Sequence, residues 1–118
     1  MWNLPTPGQL ARMPGLYCTE TTPCADKRVY LHFFTQSCDW YACEYDPHEH
    51  LFWGFVNLGD DRNAEWGYFS FEELRAYTRR IGVNGRGMMM QEIDREVNWR
   101  VKRAGEIRDI ARAQGWTT

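Results

Sequence analysis

The chain has 118 residues, 43% of them hydrophobic and 15% aromatic, including six tryptophans, a composition that excludes disorder and leaves room for a single domain (1–118). The formal charge of −2 argues against a polyanion-binding footprint. No run approaches the roughly 20 apolar residues of a membrane span and no signal-like start is present, so a cytoplasmic protein is expected.

The N-terminal stretch to about residue 15 carries prolines at 5, 7 and 14 and reads as an extended lead-in, with one short helical turn around Gln9 to Met13. Arg28–Thr35 (RVYLHFFT) is dense in β-branched and aromatic residues and predicts a strand. After the polar link Gln36–Asp39, Trp40–Asp46 (WYACEYD) predicts a second strand, paired antiparallel with the first. Pro47 marks a turn at 46–50, because proline cannot donate within a ladder. Leu51–Leu58 and Glu65–Phe69 complete a four-stranded antiparallel meander, separated by the turn-rich run Gly59–Ala64.

Ser70-Phe71-Glu72-Glu73 has the form of a capping box and predicts a helix over 71–80, with Phe71, Leu74 and Tyr77 on one face. Gly82, Gly85 and Gly87 interrupt the chain, and residues 88–99 fit either a helix or a strand. The tail (100–118) reads as helical from about Arg100 to Gln114, although Gly105 weakens that pattern. The expected class is therefore α+β, a small antiparallel sheet packed with the helix at 71–80 and a C-terminal helix.

The segments Leu16-Tyr17, Thr19-Glu20, Asp26-Lys27, Val29-Tyr30 and Phe33-Phe34, then Trp40-Tyr41, Glu44-Tyr45-Asp46-Pro47, Leu51-Phe52, Gly54 and Gly67-Tyr68-Phe69-Ser70, follow one another in an informative order. This order resembles the family called domain of unknown function 2958, small proteins often encoded on plasmids, integrative elements and phages. The likeness spans roughly residues 16–75, with Asp94 to Trp99 matching a later acidic-Arg-acidic segment. It implies a compact fold and a mobile-element setting, and it implies no reaction. The four cysteines and the tail beyond Val101 depart from the family pattern.

Cys18, Cys24, Cys38 and Cys43, together with His32, His48 and His50, are zinc-type donors, but the Cys–Cys gaps of five and four residues do not form knuckles. In a reducing compartment these thiols stay reduced, and packing alone accounts for them. Cys43 and His32 on neighbouring strands could form a nucleophile–base pair, yet neither has an oxyanion-forming turn beside it. The glycine run GVNGRG lacks the Lys-Ser/Thr of a phosphate loop. The sequence thus assigns no catalytic residue, no metal ligand and no cofactor.

Alternation places Trp40, Ala42, Glu44 and Asp46 on one sheet face, read as the outside, and Tyr41, Cys43 and Tyr45 on the other, read as core. With Glu65 and Tyr68 at its border and Trp53 close by, the outer face is an acidic patch edged by aromatics. Trp40, Glu44, Asp46, Trp53, Glu65 and Tyr68 are therefore the candidate binding residues, and an ordinary solvated face with cross-strand pairs is the alternative. Residues 1–75 hold five basic against eleven acidic side chains and residues 76–118 nine against five, so the halves carry opposite charge. Direct nucleic-acid binding is not expected, because the basic residues of the tail are interspersed with acids.

These readings converge on a non-enzymatic interaction or regulatory protein of a mobile genetic element, docking on a protein partner with a basic surface. Inhibition of a host defence complex is its most specific form. The competing expectation is a small zinc-binding regulator or thiol enzyme built on the cysteines and His32. The oligomeric state is left open.

Overall fold

The aromatic and β-branched residues between Val29 and Phe69 are too many for a sheet covered on one side, and the fold buries both faces. A computed structural model describes residues 4–76 and 93–116. The class is α+β. The strands are β1 (Arg28–Val29), β2 (Leu31–Phe34), β3 (Asp39–Asp46), β4 (Leu51–Asn57), β5 (Glu65–Ser70), β6 (Asp94–Arg95) and β7 (Lys102–Arg103). The described helices are α1 (Pro7–Ala11), α2 beginning at residue 71 and helical through 76, and α3 (Arg108–Gln114).

Five strands form an antiparallel sheet in the order β5-β4-β3-β2-β6, and β1 pairs with β7 in a separate two-stranded ribbon. The expected continuous strand Arg28–Thr35 is therefore two strands. Its first half leaves to pair with β7, while the Tyr30 N–H still donates to the Ala42 carbonyl at 2.8 Å. The hairpin β2–β3 and the meander β3–β4–β5 pair antiparallel in the expected order, with Phe33 opposite Trp40, Tyr45 opposite Phe52, and Phe52 opposite Phe69.

One sheet face buries Leu31, Phe33, Trp40, Ala42, Tyr45, Phe52 and Phe69 against Met13, Leu74 and Ile93. The opposite face buries Tyr41, Cys43 and Phe55, with Val29, against Ala104, Ile107 and Ile110 of the C-terminal segment. Four phenylalanines (33, 52, 55 and 69) are essentially inaccessible, and truncating any one would cost about 3–5 kcal/mol.

Local chemistry moves several boundaries. In α1 the Gln9 N–H donates to Thr6 Oγ1 at 3.1 Å and the Thr6 N–H donates to Gln9 Oε1 at 2.8 Å, with Pro7 at the first position. The N-terminal helix thus begins at Pro7, two residues ahead of the expected turn at Gln9. At α2 the Ser70 hydroxyl accepts from the Glu73 N–H at 3.0 Å, as the capping pattern predicts. The rest of the expected helix to residue 80, the glycine run and the three methionines lie outside the described residues.

The expected continuous helix from Arg100 is replaced by β7, a 3-10 turn at Ala104–Glu106, and α3 from Arg108. The cause is a close approach: a Cβ on Gly105 would sit 3.1 Å from the Ala25 carbonyl oxygen. The backbone of the 3-10 turn Cys24–Asp26 packs against the turn at Ala104–Glu106, which leaves little room for a side chain at position 105. Residues 93–99 contribute only the two-residue strand β6.

Candidate functional site

The geometry of the candidate face is set by a β-bulge in β3. Ala42 pairs with Gly54 and Glu44 pairs with Trp53, so Cys43 is an extra residue and the strand rotates there. Trp40 and Ala42 lie on the face with Phe33 and Phe52, whereas Glu44 lies on the face with Trp53 and Tyr68. The expected single outer face Trp40–Ala42–Glu44–Asp46 does not exist, and Tyr45 parts from Tyr41 and Cys43 for the same reason. Alternation assumes an unbroken pleat, and the bulge adds one residue to it.

Glu44 is 4% exposed and closes a buried polar junction. Its Oε1 accepts from the Tyr17 N–H at 2.9 Å, and its Oε2 accepts from the Thr19 N–H at 3.2 Å and from the Thr19 hydroxyl. Lys27, also buried, donates to the Thr19 carbonyl and, at 3.0 Å, to Thr19 Oγ1, and its ammonium lies 5.1 Å from the centre of the Trp53 ring. These bonds hold Tyr17 in a left-handed conformation with φ of 71°, an uncommon state for a residue with a side chain. Glu44 therefore anchors the segment 15–27 to the sheet and is not part of an exposed patch. Asp46 likewise serves its own turn, accepting from the His48 N–H at 3.0 Å.

A shallow trough lies on the other face, beside β5. Two adjoining clefts of about 380 and 220 Å³ share Val56, Leu58 and Tyr68 as lining residues, and Trp40 and Phe69 line the smaller one. Leu58 and Tyr68 are among the most exposed large apolar side chains, at 57% and 47%. Asp60, Glu65 and Glu73 are the charged lining residues among the described ones, and all three are acidic. Two of the expected binding residues, Trp40 and Glu65, come together here, while Tyr68 borders the trough from β5 with its side chain on the face of Trp53 and Glu44. Glu44, Trp53 and Asp46 do not line it.

A larger groove of about 710 Å³ lies between residues 4–10 and the start of α2, shares Glu73 with the trough, and carries Glu49 and Glu72 alongside Arg75. Its mixed charge gives no directional signal.

Sequence reasoning also missed the setting of His32. Its Nδ1 lies 2.7 Å from Glu96 Oε1 and its Nε2 lies 2.7 Å from Asp39 Oδ1, while the ring stacks on Tyr41 at 4.4 Å between centroids. Both ring nitrogens are thus occupied by carboxylates, and His32 is not directed at Cys43. The only sequence signal was Glu96 in an acidic segment far along the chain. Cys43 is buried, and loss of solvation pushes its thiol up to about 12 despite the opposing Lys27, which leaves it a poor nucleophile at neutral pH. Cys38 is buried, Cys24 half-buried and Cys18 exposed, all as free thiols. Among the described residues no three His, Cys, Asp or Glu side chains converge as a metal site would require, and no described helix is long and apolar enough to cross a membrane.

No family model, curated protein or solved structure matches this chain.

Proposed function

We propose that this protein is a non-catalytic interaction protein that binds the basic surface of another protein through the acid-rimmed trough beside β5. The observation that carries this reading is the pairing of the exposed Leu58 and the half-buried Val56 with a rim whose charged members among the described residues, Asp60, Glu65 and Glu73, are all acidic. An apolar floor supplies contact area, and a single-signed rim selects against acidic partners and speeds encounter with basic ones. In the mobile-element setting implied by the sequence resemblance, the specific form of this reading is a protein that covers the basic nucleic-acid channel of a host defence complex.

The test is a fluorescence-anisotropy titration of a labelled lysine-rich peptide against the protein over a range of salt concentrations. Binding should weaken as salt rises, and the double variant Glu65→Lys/Glu73→Lys should lose at least about tenfold in affinity while unfolding at the wild-type temperature. Equal binding by that variant, or no binding by the wild type, would remove the trough as the functional surface.

A further inference from the structure

The two outer edges of the five-stranded sheet are built differently. One edge is β6, two residues long, a length that offers little to an incoming strand. The other is β5, six residues long (EWGYFS), with no proline and one charged residue, at its start. Among the described residues nothing pairs with the side of β5 that faces away from β4. Edge strands are ordinarily guarded by shortness, proline or charge, and β5 has little of that protection.

Gly67 supplies a second, independent observation. It stands opposite Gly54 across β4 and β5, but the two glycines have different reasons to be there. A Cβ on Gly54 would lie 1.8 Å from the Tyr41 carbonyl oxygen, so the fold requires a glycine beside the bulge. A Cβ on Gly67 would meet nothing within 4 Å among the described residues, and the backbone there is not left-handed. Glycine inside a strand costs roughly 0.5–1 kcal/mol relative to alanine, and nothing in the packing offsets that cost at Gly67. The space left by its missing side chain belongs to the 380 Å³ cleft of the trough.

We propose that β5 is the acceptor edge for an extended basic segment of the partner, which adds as a further strand beside Glu65–Ser70 and lays a side chain into the space over Gly67. This rests on the trough reading above and gives it a binding mode. Main-chain hydrogen bonds along β5 provide attachment, and alternate side chains provide selection. Residues of the segment on the trough face meet Glu65 and the open space over Gly67, which favours a basic residue next to an apolar one in the period-two pattern. Those on the opposite face meet Trp66 and Tyr68, which favour aliphatic or aromatic contacts.

The experiment uses the full chain and a labelled peptide of alternating lysine and valine, read by anisotropy and by amide hydrogen exchange. The β5 amides that face away from β4 should exchange readily in the free protein and become protected when the peptide is added. Gly67→Leu, which fills the open space, should weaken binding at least about tenfold without lowering the unfolding temperature. The same peptide N-methylated at alternate residues cannot pair along one edge and should also lose binding to the wild type, a result that does not depend on any variant folding. Wild-type binding by Gly67→Leu or by the methylated peptide, or protection of those β5 amides in the free protein by a second copy or by its own chain, overturns strand addition. If binding is lost in Glu65→Gln/Glu73→Gln but is indifferent to Gly67→Leu and to methylation, the trough reading stands and strand addition falls. If the wild type binds no peptide, the trough reading itself fails.

Discussion

Trp40 and Glu44 belong to one strand and point to opposite faces of its sheet, because the extra residue Cys43 between them turns the chain over. Trp40 thereby borders the trough, and Glu44 is drawn into the junction that holds Tyr17 and Thr19.

Glu44→Ala should therefore behave as a core lesion. It leaves two part-buried backbone donors and the Thr19 hydroxyl, which also accepts from Lys27, without their acceptor, a loss of about 2–4 kcal/mol. Glu44→Gln keeps one acceptor oxygen and should cost less. Urea unfolding measures the stabilities, and hydrogen exchange at Tyr17 and Thr19 shows whether the segment 15–27 detaches. A change within about 0.5 kcal/mol, the usual result at an exposed position, would mean that the junction is not structural.

The strands were legible in the sequence because their signal is local. Arg28 to Phe69 carries β-branched and aromatic residues and is punctuated by Pro47 and the run Gly59–Ala64, and these cues fix the order of the meander. The faces were not legible, because a bulge is one residue in length and leaves no mark in composition. The capping pattern Thr6-x-x-Gln9 that starts α1 at Pro7 is present in the sequence, but the expected turn begins at Gln9 and leaves this signal unread. In the tail, Val97, Val101, Ala104 and Ile107 have helical spacing, but β1 and the backbone at Ala25 compete for the same segment, and those tertiary contacts prevail over periodicity. Glu65 and Tyr68 were identifiable as surface residues because β5 is an edge. The contribution of Asp60, Leu58 and Glu73 to the same trough depends on how the turn and α2 flank the sheet.

Gly54 gives the sharpest contrast in stability. Gly54→Ala must force β4 away from the Tyr41 carbonyl and should destabilise by about 3 kcal/mol or more, whereas Gly67→Ala should stay within about 1 kcal/mol of wild type or stabilise slightly. Parallel urea titrations of the two variants decide it. Similar losses at both positions would mean that Gly67 is also held by packing.

His32 ties three segments together, since Asp39 belongs to β3 and Glu96 follows β6. His32→Ala leaves those two carboxylates without the imidazole that joins them and removes the ring that contacts both Tyr41 and Trp99. Both acids are partly solvated, which limits the expected loss to about 1–2 kcal/mol. The effect should be local. The Glu96 N–H, which donates to the His32 carbonyl at 2.9 Å, should exchange faster, and Trp99 fluorescence should shift toward that of a solvated indole. Unchanged exchange at Glu96 would show that the two-residue ladder of β6 holds the segment without the histidine.

Alkaline pH should destabilise the fold through two buried groups. Burial, reinforced by the charges of Asp39 and Asp109, holds the Tyr41 hydroxyl well above the ordinary tyrosine value, and burial pushes the Cys43 thiol up to about 12. In the unfolded chain these groups ionise near their ordinary values of about 10 and 8.5. Between the ordinary and the raised values the unfolded state has released protons that the folded state retains, so stability falls with rising pH. The slope approaches about 1.4 kcal/mol per pH unit for each group. Full stability from this source is present below about pH 8, and the decline begins with the thiol and steepens as the phenol joins it. Urea unfolding at stepped pH should show a shallower decline for Cys43→Ala from about pH 9 and for Tyr41→Phe from about pH 10, compared by slope because Cys43→Ala also loses packing. Curves parallel to wild type in both variants would place the alkaline sensitivity elsewhere and would mean that neither group is as desolvated as its position in the core requires.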